Sequence, residues 1–309
     1  MASSTPTTSS PIFAKRSTPP NPRGGPMTPE RSGGETLLPL AFPIDLALTV
    51  ASHGWADLAP WRWDPETGVL ARGERIGGEL GAIAAVQREP AAIIVRWDGF
   101  GANAGPEIIR RVERWLSADW DPADAVALLG EDAELIGRGG GRMLRCSTFY
   151  EDFVKTVLTI NTVWSSTRRM AAALVAEPGG GAFPGPEAVL DYGEALLRGR
   201  AKLGFRAPTV ISATRRMLED GTIDRAGDGR PDHEYLLALS GIGPYAAAHC
   251  RLLLHDFSRI PVDSVVTAYV RERHASDPAA FAASRAAWGA YLALGYRLAR
   301  LREKLDAAI

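Results

Sequence analysis

A chain of 309 residues, 46% of them hydrophobic, can bury a core large enough for two or three domains. Its formal net charge of −1 excludes a polycation, so a nucleic-acid partner has to be met by a local basic surface. Two cysteines, Cys146 and Cys250, exclude a disulfide scaffold, an iron–sulfur cluster and an all-cysteine zinc site, and fit a reducing compartment rather than secretion.

Residues 1–36 are rich in Ser, Thr, Pro and Gly and carry Lys15, Arg16, Arg23 and Arg31. Such a composition predicts a disordered, mildly basic tail, because it buries too little apolar surface to offset its ordering entropy. Residues 37–115 read as an antiparallel β domain. Leu46, Leu48 and Val50 fall at every second position, and Ile93, Val95 and Trp97 alternate with Ile94, Arg96 and Asp98. Asp64-Pro65-Glu66-Thr67-Gly68 and Gly77-Gly78 supply turns between strands, and Trp55, Trp61 and Trp63 are expected in the core.

From Pro106 onwards the pattern turns helical, and residues 116–305 read as a helical body of two lobes. Tyr150, Phe153, Val154, Val157 and Leu158 share one helical stripe. Further helices are predicted over about 186–201, 206–219, 233–240, 244–255, 263–274 and 278–305. The fold class expected is therefore α+β, an antiparallel sheet followed by helices. No apolar run nears the ~20 residues of a membrane span. Five histidines with no HxH or HxxxH spacing give no metal signature.

The segment Leu239-Ser240-Gly241-Ile242-Gly243-Pro244-Tyr245 carries the most information. A helix ends, two glycines make a tight hairpin around Ile242, and Pro244 opens the next helix. Glycines let a phosphate approach the backbone, and the free N–H groups of the second helix point at it. The same residues also suit an ordinary helix–helix turn. One helix further on, Pro261-Val262-Asp263-Ser264 opens another helix with Asp263 placed as its cap, either a structural cap alone or a carboxylate held near the sugar of a gripped strand.

This hairpin–helix–aspartate arrangement resembles the helix-hairpin-helix DNA glycosylase superfamily, in its 3-methyladenine glycosylase II and 8-oxoguanine glycosylase branches. Phe149 to Asn161 resembles the helix that opens the family's core, and Leu203-Gly204-Phe205-Arg206-Ala207 resembles its Leu-Gly-Tyr-Arg-Ala segment. Phe42-Pro43-Ile44-Asp45-Leu46 and Trp61-Arg62-Trp63 resemble its N-terminal domain. The resemblance implies Asp263 as catalytic carboxylate and Gly241, Ile242, Gly243 and Tyr245 as the segment binding the DNA backbone. It also implies a polar Asn161 near the vacated base stack.

Bifunctional members carry a lysine where this chain has Tyr245, and a phenol forms no imine, so a monofunctional hydrolase is implied. Lys155 and Lys202 are expected to face solvent or phosphate. Trp164, Tyr150, Tyr245 and Trp288 are candidates to stack on a flipped base, with core packing the alternative for each. The partner implied is double-stranded DNA with a damaged base, an alkylated purine first and an oxidised or mismatched base second. A non-catalytic module binding bent duplex is the rival. No metal or cofactor is implied beyond a monovalent or divalent cation at the hairpin backbone, and the resemblance fits a monomer of the nucleoid, nucleus or an organelle. Between Arg138 and Arg216 there are twelve Lys and Arg against six Asp and Glu. Arg168, Arg169, Arg198, Arg200, Lys202 and Arg206 are therefore candidate phosphate neighbours.

Overall fold

The computed structural model describes residues 32–306. The fold is α+β. Five antiparallel strands, β1 (Ser32–Pro39), β2 (Trp61–Asp64), β3 (Val69–Ile76), β4 (Glu79–Glu89) and β5 (Ala92–Phe100), form one sheet in the order β1-β5-β4-β3-β2. Both predicted turns join strands, β2 to β3 and β3 to β4. Ile93 and Val95 point into the core while Arg96 and Asp98 face solvent, as alternation requires.

The helices are α1 (Leu46–Val50), α2 (Gly105–Trp115), α3 (Ala123–Leu129), α4 (Glu134–Gly137), α5 (Phe149–Thr159), α6 (Trp164–Ala176) and α7 (Pro186–Tyr192). They continue with α8 (Glu194–Gly199), α9 (Arg206–Glu219), α10 (His233–Leu237), α11 (Pro244–Leu252), α12 (Ser264–His274), α13 (Pro278–Ser284) and α14 (Leu292–Asp306). One apolar core runs from the sheet (Leu70, Ile83, Val95) through Trp115 and Phe153 to Val210 and Leu294.

Four expectations are corrected. Residues 32–36, placed in the tail, belong to β1 and pair with β5, with Glu35 opposite Arg96; residues 1–31 lie outside the described residues. Ile44 to Val50 is no strand. Asp45 accepts a hydrogen bond from Leu48 N (2.8 Å) and starts a helix that buries Leu46, Thr49 and Val50. The span 186–201 breaks at Gly193, whose φ of +79° stops α7 before α8. The span 278–305 is three pieces, because Gly289 at φ +50° interrupts the 3₁₀ segment Ala286–Tyr291 between α13 and α14.

Buried charge ties the sheet to α5. Arg72 on β3 pairs with Glu74 (2.6 Å) and with Glu151 on α5 (2.6 Å), and Glu151 also holds Lys155 (2.9 Å). Arg111 on α2 joins Glu74, and Arg114 joins Asp152 at 2.8 Å. Asp152 accepts further from Trp55 Nε1 and Cys146 N, both at 2.9 Å. Each charge meets an opposite charge or a donor, the condition under which burial is tolerated. Lys155, expected to face solvent or phosphate, is fully buried in this set.

Candidate active site

Helices α10 and α11 are joined by the Gly-Ile-Gly turn. Ile242 is 6% exposed and its N donates to Leu239 O (3.1 Å), which seats it as an apolar plug. Gly241 needs its lack of side chain twice: φ is +81°, and a Cβ would stand 2.3 Å from Thr209 Oγ1. Gly243, by contrast, is extended (φ −99°) and caps α11, and a Cβ there would meet nothing within 4 Å. The two glycines separate by experiment. Gly241→Ala is expected to cost about 1–3 kcal/mol of stability, read from a denaturant midpoint. Gly243→Val is expected to fold as the parent does yet bind every duplex about 10-fold more weakly, whatever its base, since phosphate contacts position without specifying. Parent-like affinity for DNA would remove the hairpin from the interface.

Asp263 caps α12. Its Oδ1 accepts from Val266 N at 2.8 Å, its Oδ2 takes no hydrogen bond among the described residues, and the residue is exposed. It stands on the wall of a cavity of about 780 Å³. Gly243 and Tyr245 share that wall, so the hairpin, the carboxylate and the hollow meet in one place. Burial, and after it the charge of Asp263, push the Tyr245 phenol above its ordinary value against the opposing Thr159 hydroxyl, 3.4 Å away.

Four rings cluster at the cavity, one pair stacked and the other contacts tilted or edge-on. Tyr245 lies over His249 (5.9 Å, 24°), one helical turn on along α11. His249 meets Trp55 (5.1 Å) and His53 (5.7 Å), and His53 meets Trp55 (4.7 Å). Arg297 and Arg300 of α14 close the wall. Burial and then the Arg297 charge push His249 down to about 3, and burial, His249 and Arg297 lower His53 well below 6.5. Both imidazoles are therefore neutral at neutral pH.

Of the residues singled out from sequence, Asp263, Gly243, Tyr245, Asn161 and Trp164 line this cavity. Asn161 follows α5 in the left-handed region (φ +47°). Trp164 sits at the rim, donates to Asp57 (3.1 Å) and covers Gly54. Tyr150 and Trp288 are not brought there. Tyr150 is 1% exposed and hydrogen-bonded to Thr214 (2.8 Å), and Trp288 packs on Gly295 and Phe281. Sequence reasoning missed His53, His249 and Arg297; only His249 left a signal, four residues after Tyr245 on the same helical face.

The basic candidates divide. Arg168 and Arg169 flank a neighbouring hollow beside Asp57 and Trp61. Arg198 pairs with Glu194 (2.9 Å) and Arg200 with Glu177 (3.3 Å). Arg206 turns inward to the carbonyls of Ile160 and Asn161, which holds the α5–α6 loop rather than a phosphate. Lys202 is exposed.

A five-stranded antiparallel sheet docked on helices, with a glycine turn one helix before a capping aspartate, makes an overall fold similar to that of solved structures described as DNA glycosylases. Among solved structures, the 3-methyladenine DNA glycosylase of Archaeoglobus fulgidus superposes with a TM-score of 0.64 at 18% identity, over 86% of this chain and 98% of that one. The 8-oxoguanine glycosylase/lyase of Clostridium acetobutylicum in its apo form gives 0.62 at 14% identity, over 88% and 97%. The same enzyme with double-stranded DNA bearing cytosine opposite 8-oxoguanine gives 0.55 at 15%, over 82% and 93%. No family model and no curated protein sequence matches the chain.

Proposed function

We propose that this protein is a monofunctional DNA glycosylase, which hydrolyses the N-glycosidic bond of a damaged purine flipped out of duplex DNA. The observation that carries the reading is Asp263, with one carboxylate oxygen fixed by the α12 backbone and the other unbonded on a cavity wall beside the hairpin. Breaking the bond builds positive charge on the deoxyribose, and a carboxylate near C1′ stabilises it and takes a proton from the attacking water. Binding to the DNA backbone alone requires nothing of that carboxylate beyond capping α12. The reaction requires no cofactor.

The amine inventory supports the monofunctional reading. The residues lining the cavity include Tyr245 at the imine position and no lysine, and Lys155 is locked on Glu151. The test is a panel of duplexes, each with one damaged base. The parent is expected to leave abasic sites that break only on alkali treatment, with no adduct trapped by borohydride. A trapped adduct would identify an amine nucleophile and end the monofunctional reading.

A lone carboxylate and an aromatic wall suit an alkylated purine, whose positive charge makes it a ready leaving group. Arg297 in the same wall favours a second reading, a neutral oxidised or mismatched base.

A further inference from the structure

We infer that Arg297, with the Nε2 edges of His53 and His249, forms the leaving-group side of the cavity. That side selects a base that departs as an anion, a neutral purine with a carbonyl edge, over a cationic N-alkylated purine. The inference rests on the glycosylase reading and deepens it.

Three observations support it. The Nε2 atoms of His53 and His249 are buried without a hydrogen-bond partner in the protein, although both residues line the cavity. Buried polar atoms are ordinarily paired, so two unpaired ones at one cavity define positions where a ligand's polar edge is held. Arg297 also lines the cavity, and it makes no hydrogen bond or ion pair among the described residues. It shares that lining with His53, His249 and Tyr245, and its charge acts on all three. Finally, the charged groups of the cavity come from separate elements: Asp263 at the start of α12, and Arg297 and Arg300 on α14.

That division matches the charge the reaction develops. The C1′–N bond breaks with its electron pair staying on the base nitrogen, so the sugar turns positive and a neutral base turns negative. The oxygen of water bonds to C1′, and its proton passes to Asp263 and then to solvent. Arg297 holds the departing anion until the base takes a proton from solvent. A base that is already cationic meets Arg297 as a like charge and gains nothing as it leaves.

The test compares single-turnover release from duplexes with one hypoxanthine, one 8-oxoguanine or one 7-methylguanine, for the parent, Arg297→Gln and Arg297→Lys. The ratio of neutral to cationic release is the readout, because it is independent of the fraction of protein folded. The parent is expected to favour a neutral base. Arg297→Gln is expected to lower release of that base by about 10²-fold without slowing 7-methylguanine, and Arg297→Lys to keep the parent's preference. Faster release of 7-methylguanine by the parent, or an unchanged ratio in Arg297→Gln, overturns the inference and leaves the glycosylase reading standing. No release from any damaged duplex sinks the glycosylase reading, and this inference with it.

Discussion

Asp263→Asn is expected to lower single-turnover base release by about 10²-fold or more while DNA affinity stays at the parent value. The variant isolates charge from shape. Asn is isosteric, its Oδ1 can still accept from Val266 N, and Asn caps helices about as well as Asp, so α12 stays in place. What disappears is the negative charge beside the cavity and, in the proposed mechanism, the group that takes water's proton. Release and affinity measured on the same preparation, with a duplex containing an abasic-site analogue as the binding probe, separate catalysis from docking. Parent-like release from a verified substrate would reduce Asp263 to a helix cap and refute the mechanism.

The second large effect lies away from the cavity. Glu151→Ala is expected to cost about 3–5 kcal/mol, because it strips the shared partner from two buried cations, Arg72 and Lys155. Burial by itself would raise the Glu151 carboxyl, but Arg72 and Lys155 outweigh it and lower the group from 4.5 to about 2. A carboxyl depressed in the folded state adds stability that is complete above its unfolded value and drains away as pH falls through the folded one. The parent should therefore lose stability between about pH 4.5 and 2 through this group, a window in which Glu151→Gln has nothing to titrate. Urea midpoints at neutral pH and near pH 3 measure both effects. A Glu151→Ala midpoint equal to the parent's would show that the ion cluster adds nothing to stability.

The order sheet-then-helices was legible because alternation in Ala92–Phe100 and the helical stripe of α5 are local signals that packing reinforced. Leu46–Val50 misled because three apolar residues at every second position fit either period, and the cap at Asp45 decided for helix. The hairpin and Asp263 could be read because glycine chemistry and helix caps act within a few residues. Arg297 and His53 could not. They lie 34 residues after and 210 before Asp263 in sequence, and only tertiary packing brings them to one cavity. Tyr150 and Trp288 show the converse: an aromatic in an otherwise suitable stretch went to the core, where the apolar area it removes from water is larger.

The cavity's walls come from four separated parts of the chain: His53–Trp55 between β1 and β2, Thr159 to Thr167 around the α5–α6 loop, the stretch from Gly243 to Val266, and Tyr296, Arg297 and Arg300 on α14. During synthesis the sheet, α5 and the hairpin all emerge before α14, so they can pack while the cavity still lacks one side. A nascent chain at that stage holds the glycine turn and the Asp263 carboxylate without Arg297 and Arg300. The cavity is thus completed in one late docking event, when α14 packs onto the parts already made.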